Sequence, residues 1–505
     1  ESQENKSFKL IFNINAGEKY TFNDLKLNLP VDFDEVHFVS IRKLLDKLIG
    51  KPYSLDNINK ILNEVDKIAL SKQYEFVRAS LSESIVDNNK LDFIVSLSES
   101  EKSYVERINI TGNHITLEEV IRNSFIVDEG DPYNEILFNN SVNKIKSKNI
   151  FAKVETKIKE GTSKSLKIIN INVEEKPTGE ISLGAGVGTN GGTLGGGIKE
   201  NNFLGKGIKL DTNLSISDET VKGKFSYVRP NFNYSDNELS TSIESTTTDK
   251  LDDSGYKASN LGLSLGTSFQ QYDNLYFSPK ITASFEDLVT TSSANTHIKK
   301  QEGEYFDINL PYYLTYNDTN RGYQPSEGYS TTFYQNIPLI SETYEIINGF
   351  EFNKYQTLIS DMVARLSFYG RAANSITGDD VRLSKRLYLP SNKLRGFESG
   401  KVGPVGGGNF IGGNYVSSIN FSTTLPQILP SFQNTDFNMF VDAGNVWGVD
   451  HNNANDASSK IRSSFGVAMD VLTPVGPMSF SLAQPITKKT SDKTESFRFN
   501  LGTTF

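Results

Sequence analysis

Residues 392–404 read NKLRGFESGKVGP, with Arg395 between Leu394 and Gly396 in a glycine-rich stretch ahead of a strand-like run. The chemistry open to such a side chain is charge pairing. A guanidinium grips a carboxylate through two parallel hydrogen bonds, provided that something brings the two together. Nucleophilic and metal chemistry have less to work with. Cysteine is absent, so there is no thiol nucleophile and no Cys-based metal site. The four histidines, His37, His114, His297 and His451, lie far apart in the chain. No Ser/His/Asp or paired-carboxylate spacing stands out. We expect no catalytic residue, no bound metal and no cofactor, and therefore no enzyme.

Two phosphate-like motifs fail on context. Gly186, Gly188 and Gly191 satisfy G-x-G-x-x-G, but a dinucleotide site needs a helix after the motif. Here more strand follows (TLGGGIKENNF), so we read small residues at a hairpin. Gly205-Lys206 is followed by Gly207 rather than Ser or Thr, which rules out a phosphate loop. The net charge of −9 argues against nucleic acid as a partner.

The elements that must position Arg395 come from the periodicity. Residues 1 to about 176 mix helical and strand patterns, and three strand-like runs (8–15, 91–97, 166–173) end on Glu-Lys punctuation. Lys19, Lys102 and Lys176 are 83 and 74 residues apart, the length of a small domain. Each repeat reads β-α-α-β-β. Its first strand is 22–29 or 105–110, and its helices are 36–50 with 55–71, or 116–125 with 134–148. Thr116 is a candidate N-cap. The run 8–15 then has no domain before it. We expect it to be the last strand of a preceding repeat (residues 1–17), ahead of domains at 18–101 and 102–177, in a chain truncated at its N-terminus.

From Glu180 onward period-2 alternation replaces helical periodicity. In 435–447 the odd positions are mostly apolar, while the even ones include Asp436 and Asp442. In 461–471, Phe465, Val467 and Met469 share one face, and Arg462, Ser464 and Asp470 the other. A soluble sandwich also alternates. The length of the pattern, and the charges and glycines of the second face, favour a transmembrane barrel with a wet lumen. No run approaches the roughly 18 apolar residues of a membrane helix. At about ten residues per strand, 178–505 accommodates about 16 antiparallel strands. Any aromatic girdle must come from the 22 Tyr and 32 Phe, since Trp occurs once.

In this frame Asp442 and Asp470 face the lumen, and strand parity puts 374–411 in a long loop beyond one rim. Gly396, Gly400 and Gly403 permit the loop to fold back into the barrel mouth, where Arg395 would need an anionic partner. A solvated loop is the competing reading, and composition does not choose. The first barrel strand, ISLGAGVG, contains Ile181, Leu183, Gly184, Gly186, Val187 and Gly188. Closure pairs it with the last strand, and its glycines make a weak seam or simply relieve crowding in the lumen.

Several stretches, in this order, resemble the BamA family of outer-membrane protein assembly factors. They are RGYQPSEG (321–328), LRGF (Leu394, Arg395, Gly396, Phe397), GGN (412–414), FVDAGNVW (440–447), LTPVGPMSFSLAQPI (472–486) and FRFNLGTTF (497–505). The resemblance covers essentially the whole chain and implies POTRA domains, the periplasmic modules of that family, followed by an outer-membrane barrel. It implies that the LRGF loop folds inward and that Arg395 meets Asp442. A second family acid corresponds to Asn420 here, with Asp470 a candidate substitute. Leu389-Pro390-Ser391 stands where the family usually has Gly-Gly-Ser.

For function, the resemblance implies insertion of unfolded outer-membrane β-barrel proteins into outer-membrane lipids. A seam that opens sideways would offer a strand edge, aided by accessory periplasmic lipoproteins. Asn500, Gly502 and Phe505 carry the polar-x-Gly-x-x-aromatic pattern of a substrate's own terminal strand. The alternatives are a two-partner secretion pore, a TamA-like autotransporter assembly factor and, from another class, a passive porin.

Overall fold

The computed structural model describes residues 20–51, 53, 57–58, 61–62, 64–65, 68, 77–86, 89–99, 102–188, 191–217, 219–320, 325–359, 362–406, 408–425, 435–450, 460–473 and 476–501. The run 8–15 and the terminal residues Gly502 and Phe505 lie outside these. The chain divides into two compact units, Glu1–Lys176 and Pro177–Phe505.

The first unit holds two small α+β sheets of the same design. In one, β1 (Thr21–Asn28) is followed by α1 (Val39–Leu48), then β2 (Val77–Val86) and β3 (Lys90–Glu99). The sheet order is β1-β3-β2, with β1 parallel to β3 and β2 antiparallel. Ile41, Leu45 and Leu48 recur at helical spacing and are buried against Phe22, Phe93 and Val95. The apolar stripe of α1 thus closes one face of the sheet. The other repeats this with β4 (Tyr104–Thr111), α2 (Glu118–Arg122), α3 (Glu135–Ser147), β5 (Phe151–Glu160) and β6 (Leu166–Glu175), in the order β4-β6-β5.

The expected Thr116 cap is corrected. The residue before α2 is Leu117, with no side-chain cap. The backbone N–H groups of His114, Ile115 and Thr116 instead donate to the Glu175 carboxylate, at 3.0, 2.9 and 2.6 Å. A carboxylate from β6 satisfies donors that a hydroxyl would otherwise serve. Burial pushes the Glu175 carboxyl up, but these hydrogen bonds outweigh it and hold it below the usual carboxylate range.

The second unit is a closed barrel of sixteen antiparallel strands. They are β7 (Gly179–Gly188), β8 (Gly191–Phe203), β9 (Ile208–Ser217), β10 (Thr220–Arg229), β11 (Glu238–Lys250), β12 (Tyr256–Tyr272), β13 (Leu275–Thr290), β14 (Gly303–Thr319), β15 (Gly328–Ile340), β16 (Glu345–Ile359) and β17 (Met362–Ser375), then β20 (Tyr415–Thr424), β21 (Thr435–Trp447), β22 (Arg462–Thr473), β23 (Gly476–Thr487) and β24 (Phe497–Leu501). Two short strands, β18 (Val405–Gly406) and β19 (Asn409–Phe410), form a separate hairpin in the loop after β17. The G-x-G-x-x-G run is spent on β7 and β8, as a hairpin would have it.

Alternation sorts the barrel walls. Met439, Val441, Phe465 and Val467 point outward and are about half exposed, whereas Asp442, Ser464 and Arg462 are fully buried inside. The outward side chains form the apolar band that lipid requires. Tyr272, Tyr276 and Tyr329 are exposed at one rim, with Tyr316 stacked on Tyr329 at 5.3 Å, so tyrosines supply part of a girdle.

Candidate functional site: an inward loop and the closing seam

The 39 residues between β17 and β20 fold into the barrel. Val381, Leu387, Leu389, Leu394, Phe397 and Val402 are buried together with Tyr369, Ala373, Val416 and Val446 of the wall. A solvated loop would not bury six apolar side chains. Gly396 takes φ +90°, and a Cβ there would press on Ala483 and Ser464 at 3.2 Å. Glycine is what lets the chain turn this close to the wall.

The turn delivers Arg395 to Asp442. Nε and Nη2 donate to the two carboxylate oxygens, each at 2.7 Å, and the Arg395 backbone N–H donates to Oδ2 at 3.0 Å. The guanidinium lies over the Phe440 ring, 3.4 Å from its centroid. That ring is seated because its cross-strand partner is Gly466, where a Cβ would stand 2.6 Å from the ring and 2.1 Å from the Leu482 carbonyl. Ser464 Oγ donates to the Arg395 carbonyl.

Asn420 belongs to the same cluster in a different capacity from an acid. Its Nδ2 donates to Asp442 Oδ1 at 2.9 Å and to the Lys393 carbonyl at 2.8 Å. A carboxylate there would set two anions against one cation. The amide leaves a one-to-one pair and adds a donor.

Asp470 requires a correction. Its carboxylate accepts from Ser479 Oγ at 2.6 Å and Asn438 Nδ2 at 3.2 Å, and Arg395 does not reach it. It faces the lumen and shares a cavity of about 240 Å³ with Lys393, Arg395 and Arg498. But Asp442 pairs in register with Ser464, and Asp470 pairs with Asp436. Six residues along the strand put it roughly 20 Å nearer the opposite rim.

The larger charge cluster went unnoticed in the sequence. Arg382 is among the most buried side chains of the barrel. Its Nη2 meets Asp307 at 2.5 Å, Nη1 meets Glu286 at 3.5 Å, and Nε meets Glu345 at 3.4 Å. Lys385 adds a second cation 3.3 Å from Asp307, and the Tyr305 ring lies 4.5 Å from the guanidinium. Tyr305, Asp307 and Asn309 alternate with Phe306, Ile308 and Leu310, which was signal enough to mark Asp307 as a lumen charge in need of a partner. On another wall Arg462 forks onto Asp492, both contacts 3.0 Å and both side chains fully buried.

Along β7 and β8 the register runs unbroken from Gly179 opposite Glu200 to Gly188 opposite Gly191, with Leu183, Gly184 and Gly186 facing Gly196, Gly195 and Thr193. Between β24 and β7, the described residues pair only Asn500 with Gly188 and Leu501 with Val187. Ile181, farther along β7, is 78% exposed. Among the described residues no group of His, Cys, Asp or Glu is placed to hold a metal ion.

Comparison with known proteins agrees with this architecture. Residues 103–176 match the POTRA family model described as a surface antigen variable number repeat. Over 95% of its length the chain is 25% identical to the outer membrane protein assembly factor BamA of Neisseria meningitidis, of which it spans 66%. BamA from Haemophilus ducreyi lacking POTRA domains 1-3 has a similar fold, with a TM-score of 0.69 at 22% identity, covering 96% of this chain and all of that one. CdiB from Acinetobacter baumannii is similar at a TM-score of 0.55 and 14% identity, covering 97% of this chain and 91% of that one. The Omp85 superfamily domain model matches residues 202–505, from within β8 through the inward loop to the last residue, and the chain belongs to that superfamily.

Proposed function

We propose that the chain folds and inserts β-barrel proteins into the bacterial outer membrane, using the β24–β7 seam as the working edge. The barrel is an outer-membrane barrel, and the POTRA sheets lie in the periplasm. We further take 18–101 and 102–177 as two POTRA domains and 178–505 as the barrel domain. The observation that carries the mechanism is the seam. There the last strand meets the first, and the described residues pair Asn500 with Gly188 and Leu501 with Val187, beside a loop folded into the barrel. If the seam opens, the N–H and C=O groups freed on its edges template another strand, and in lipid they must find partners. The terminal strand of an unfolded barrel protein satisfies them by β-augmentation. Outer-membrane lipid and accessory periplasmic lipoproteins complete the proposed set of partners. The Arg395–Asp442 pair acts as a brace for the barrel, with no reacting role.

The test is a disulfide across the seam. Val187 and Leu501 are register partners, so Val187→Cys/Leu501→Cys puts one cysteine on each side of the seam at opposed positions. Oxidised protein should lose the ability to insert barrels into liposomes and regain it on reduction. Full insertion by the locked protein would sink the opening step. Depletion in cells should lower many outer-membrane barrels together; loss of one exported protein alone would favour a secretion pore.

A further inference from the structure

The last strand is held from inside the barrel as well as from its sides. Arg498 of β24 points inward and is buried. Its Nη1 donates to the Ser391 carbonyl at 3.0 Å and its Nη2 to the Phe397 carbonyl at 2.8 Å, the two ends of the turn that carries Arg395. Glu495, three residues earlier, accepts from Nε at 2.7 Å and so orients the guanidinium. The approach to β24 is stitched to the same loop. The Glu495 N–H donates to the Gly396 carbonyl, the Glu398 N–H to the Lys493 carbonyl and the Lys493 N–H to the Lys401 carbonyl, at 3.1 to 3.2 Å. Phe397 and Thr494 form an isolated antiparallel bridge.

These ties add to the strand pairing of β24. Among the described residues, β24 pairs with β23 from Phe497 opposite Leu482 to Leu501 opposite Met478, and with β7 at Asn500 opposite Gly188 and Leu501 opposite Val187. The charges around Arg498 balance as a device for holding carbonyls. Glu495 neutralises it through Nε and Nη2, Arg395 is taken by Asp442 and Lys393 by Glu351, and both Nη1 and Nη2 still donate to the loop backbone.

We propose that Arg498 is a positioning residue that couples the inward loop to the last strand and fixes β24 as the stationary edge of the seam. Opening then displaces β7 from β24, and the loop's seat against Asp442 and Phe440 sets where β24 stands. The inference deepens the reading of the seam as the working edge, and rests on it for its functional meaning only. Its geometric content is independent of that reading.

The experiment measures disulfide formation in the full chain, reconstituted in liposomes without substrate. Val187→Cys/Leu501→Cys reports the seam, and Val467→Cys/Leu482→Cys, register partners on β22 and β23, reports the wall beside it. Adding Arg498→Ala should slow seam cross-linking roughly fivefold or more, the factor for one lost hydrogen bond, and leave the wall pair unchanged. Arg498→Lys, which keeps the charge and can reach a carbonyl, should restore part of the rate. Seam cross-linking unchanged in Arg498→Ala overturns the proposal. An equal fall at both pairs also overturns it, because it marks a general stabilising role. If Arg498→Ala loosens the seam yet barrel insertion is normal, the coupling stands and the insertion reading fails.

Discussion

Arg395→Ala separates a brace from a surface charge. In the folded barrel Asp442 is fully buried and Arg395 is 19% exposed. Truncation removes both guanidinium hydrogen bonds and the cation over Phe440. It leaves the carboxylate with the residue-395 backbone N–H and the Asn420 amide. Those two neutral donors do not compensate a buried charge, and removing one partner of a buried pair costs about 3–5 kcal/mol. A solvated surface pair is worth about 0–1 kcal/mol. The two readings therefore differ by more than the error of a urea titration. The assay is unfolding of the lipid-reconstituted barrel, followed by its heat-modifiable gel mobility. Asp442→Ala should cost a similar amount, and the double variant less than the sum by about 1–3 kcal/mol, since neither charge is then stranded. Arg395→Lys should fall between, keeping the charge and losing the fork. A loss under about 1 kcal/mol for Arg395→Ala, or simple additivity in the double variant, would refute the argument.

Other predictions concern the remaining charges. Around Arg382, two cations (Arg382, Lys385) face three carboxylates (Glu286, Asp307, Glu345). Arg382→Ala should therefore cost about 5 kcal/mol or more, or abolish recovery of folded barrel. Glu286→Gln removes the excess negative charge and should be within about 1 kcal/mol of neutral or stabilising; a loss as large as that of Asp307→Asn in the same titration would contradict this count. In the periplasmic unit, the lowered Glu175 carboxyl makes a contribution that is full above its unfolded value of about 4.3 and fades as pH falls through the folded one. Hydrogen exchange at 114–116 in the full chain should quicken, after correction for intrinsic rates, only in acid; Glu175→Gln should show the faster exchange already at neutral pH. Exchange at 114–116 unchanged by Glu175→Gln at neutral pH would exclude the carboxylate as the acceptor that matters.

Alternation made the barrel wall readable because lipid and lumen demand opposite side chains at every step. Met439 and Asp442 could be sorted by parity alone. The α1 core was readable for the parallel reason, with Ile41, Leu45 and Leu48 at helical spacing. Parity fixes a face but not a height, and this is where Asp470 misled. It faces the lumen as expected, six residues below the level at which Arg395 docks. Arg382 was missed because nothing near it in sequence announces a role. Its carboxylates come from three different strands, β13, β14 and β16, brought together only by closure of the sheet. The Thr116 cap failed on a similar long-range substitution, with Glu175 arriving from 59 residues away. The tie from Arg498 to the Ser391 and Phe397 carbonyls was beyond reach, since backbone acceptors carry no residue signature.

The inward loop has a direction in time as well as in space. Arg382, near its start, finds Glu286, Asp307 and Glu345, all in chain that precedes it. Arg395, near its middle, finds Asp442 and Ser464, and its turn is held by Glu495 and Arg498, all in chain that follows. As the sheet grows from its N-terminal strands, the first anchor can seat once β16 and β17 are paired, with five barrel strands still to be laid down. The second anchor can seat only when those last strands arrive. The half-docked loop is thus a gauge of how far the barrel's own assembly has gone.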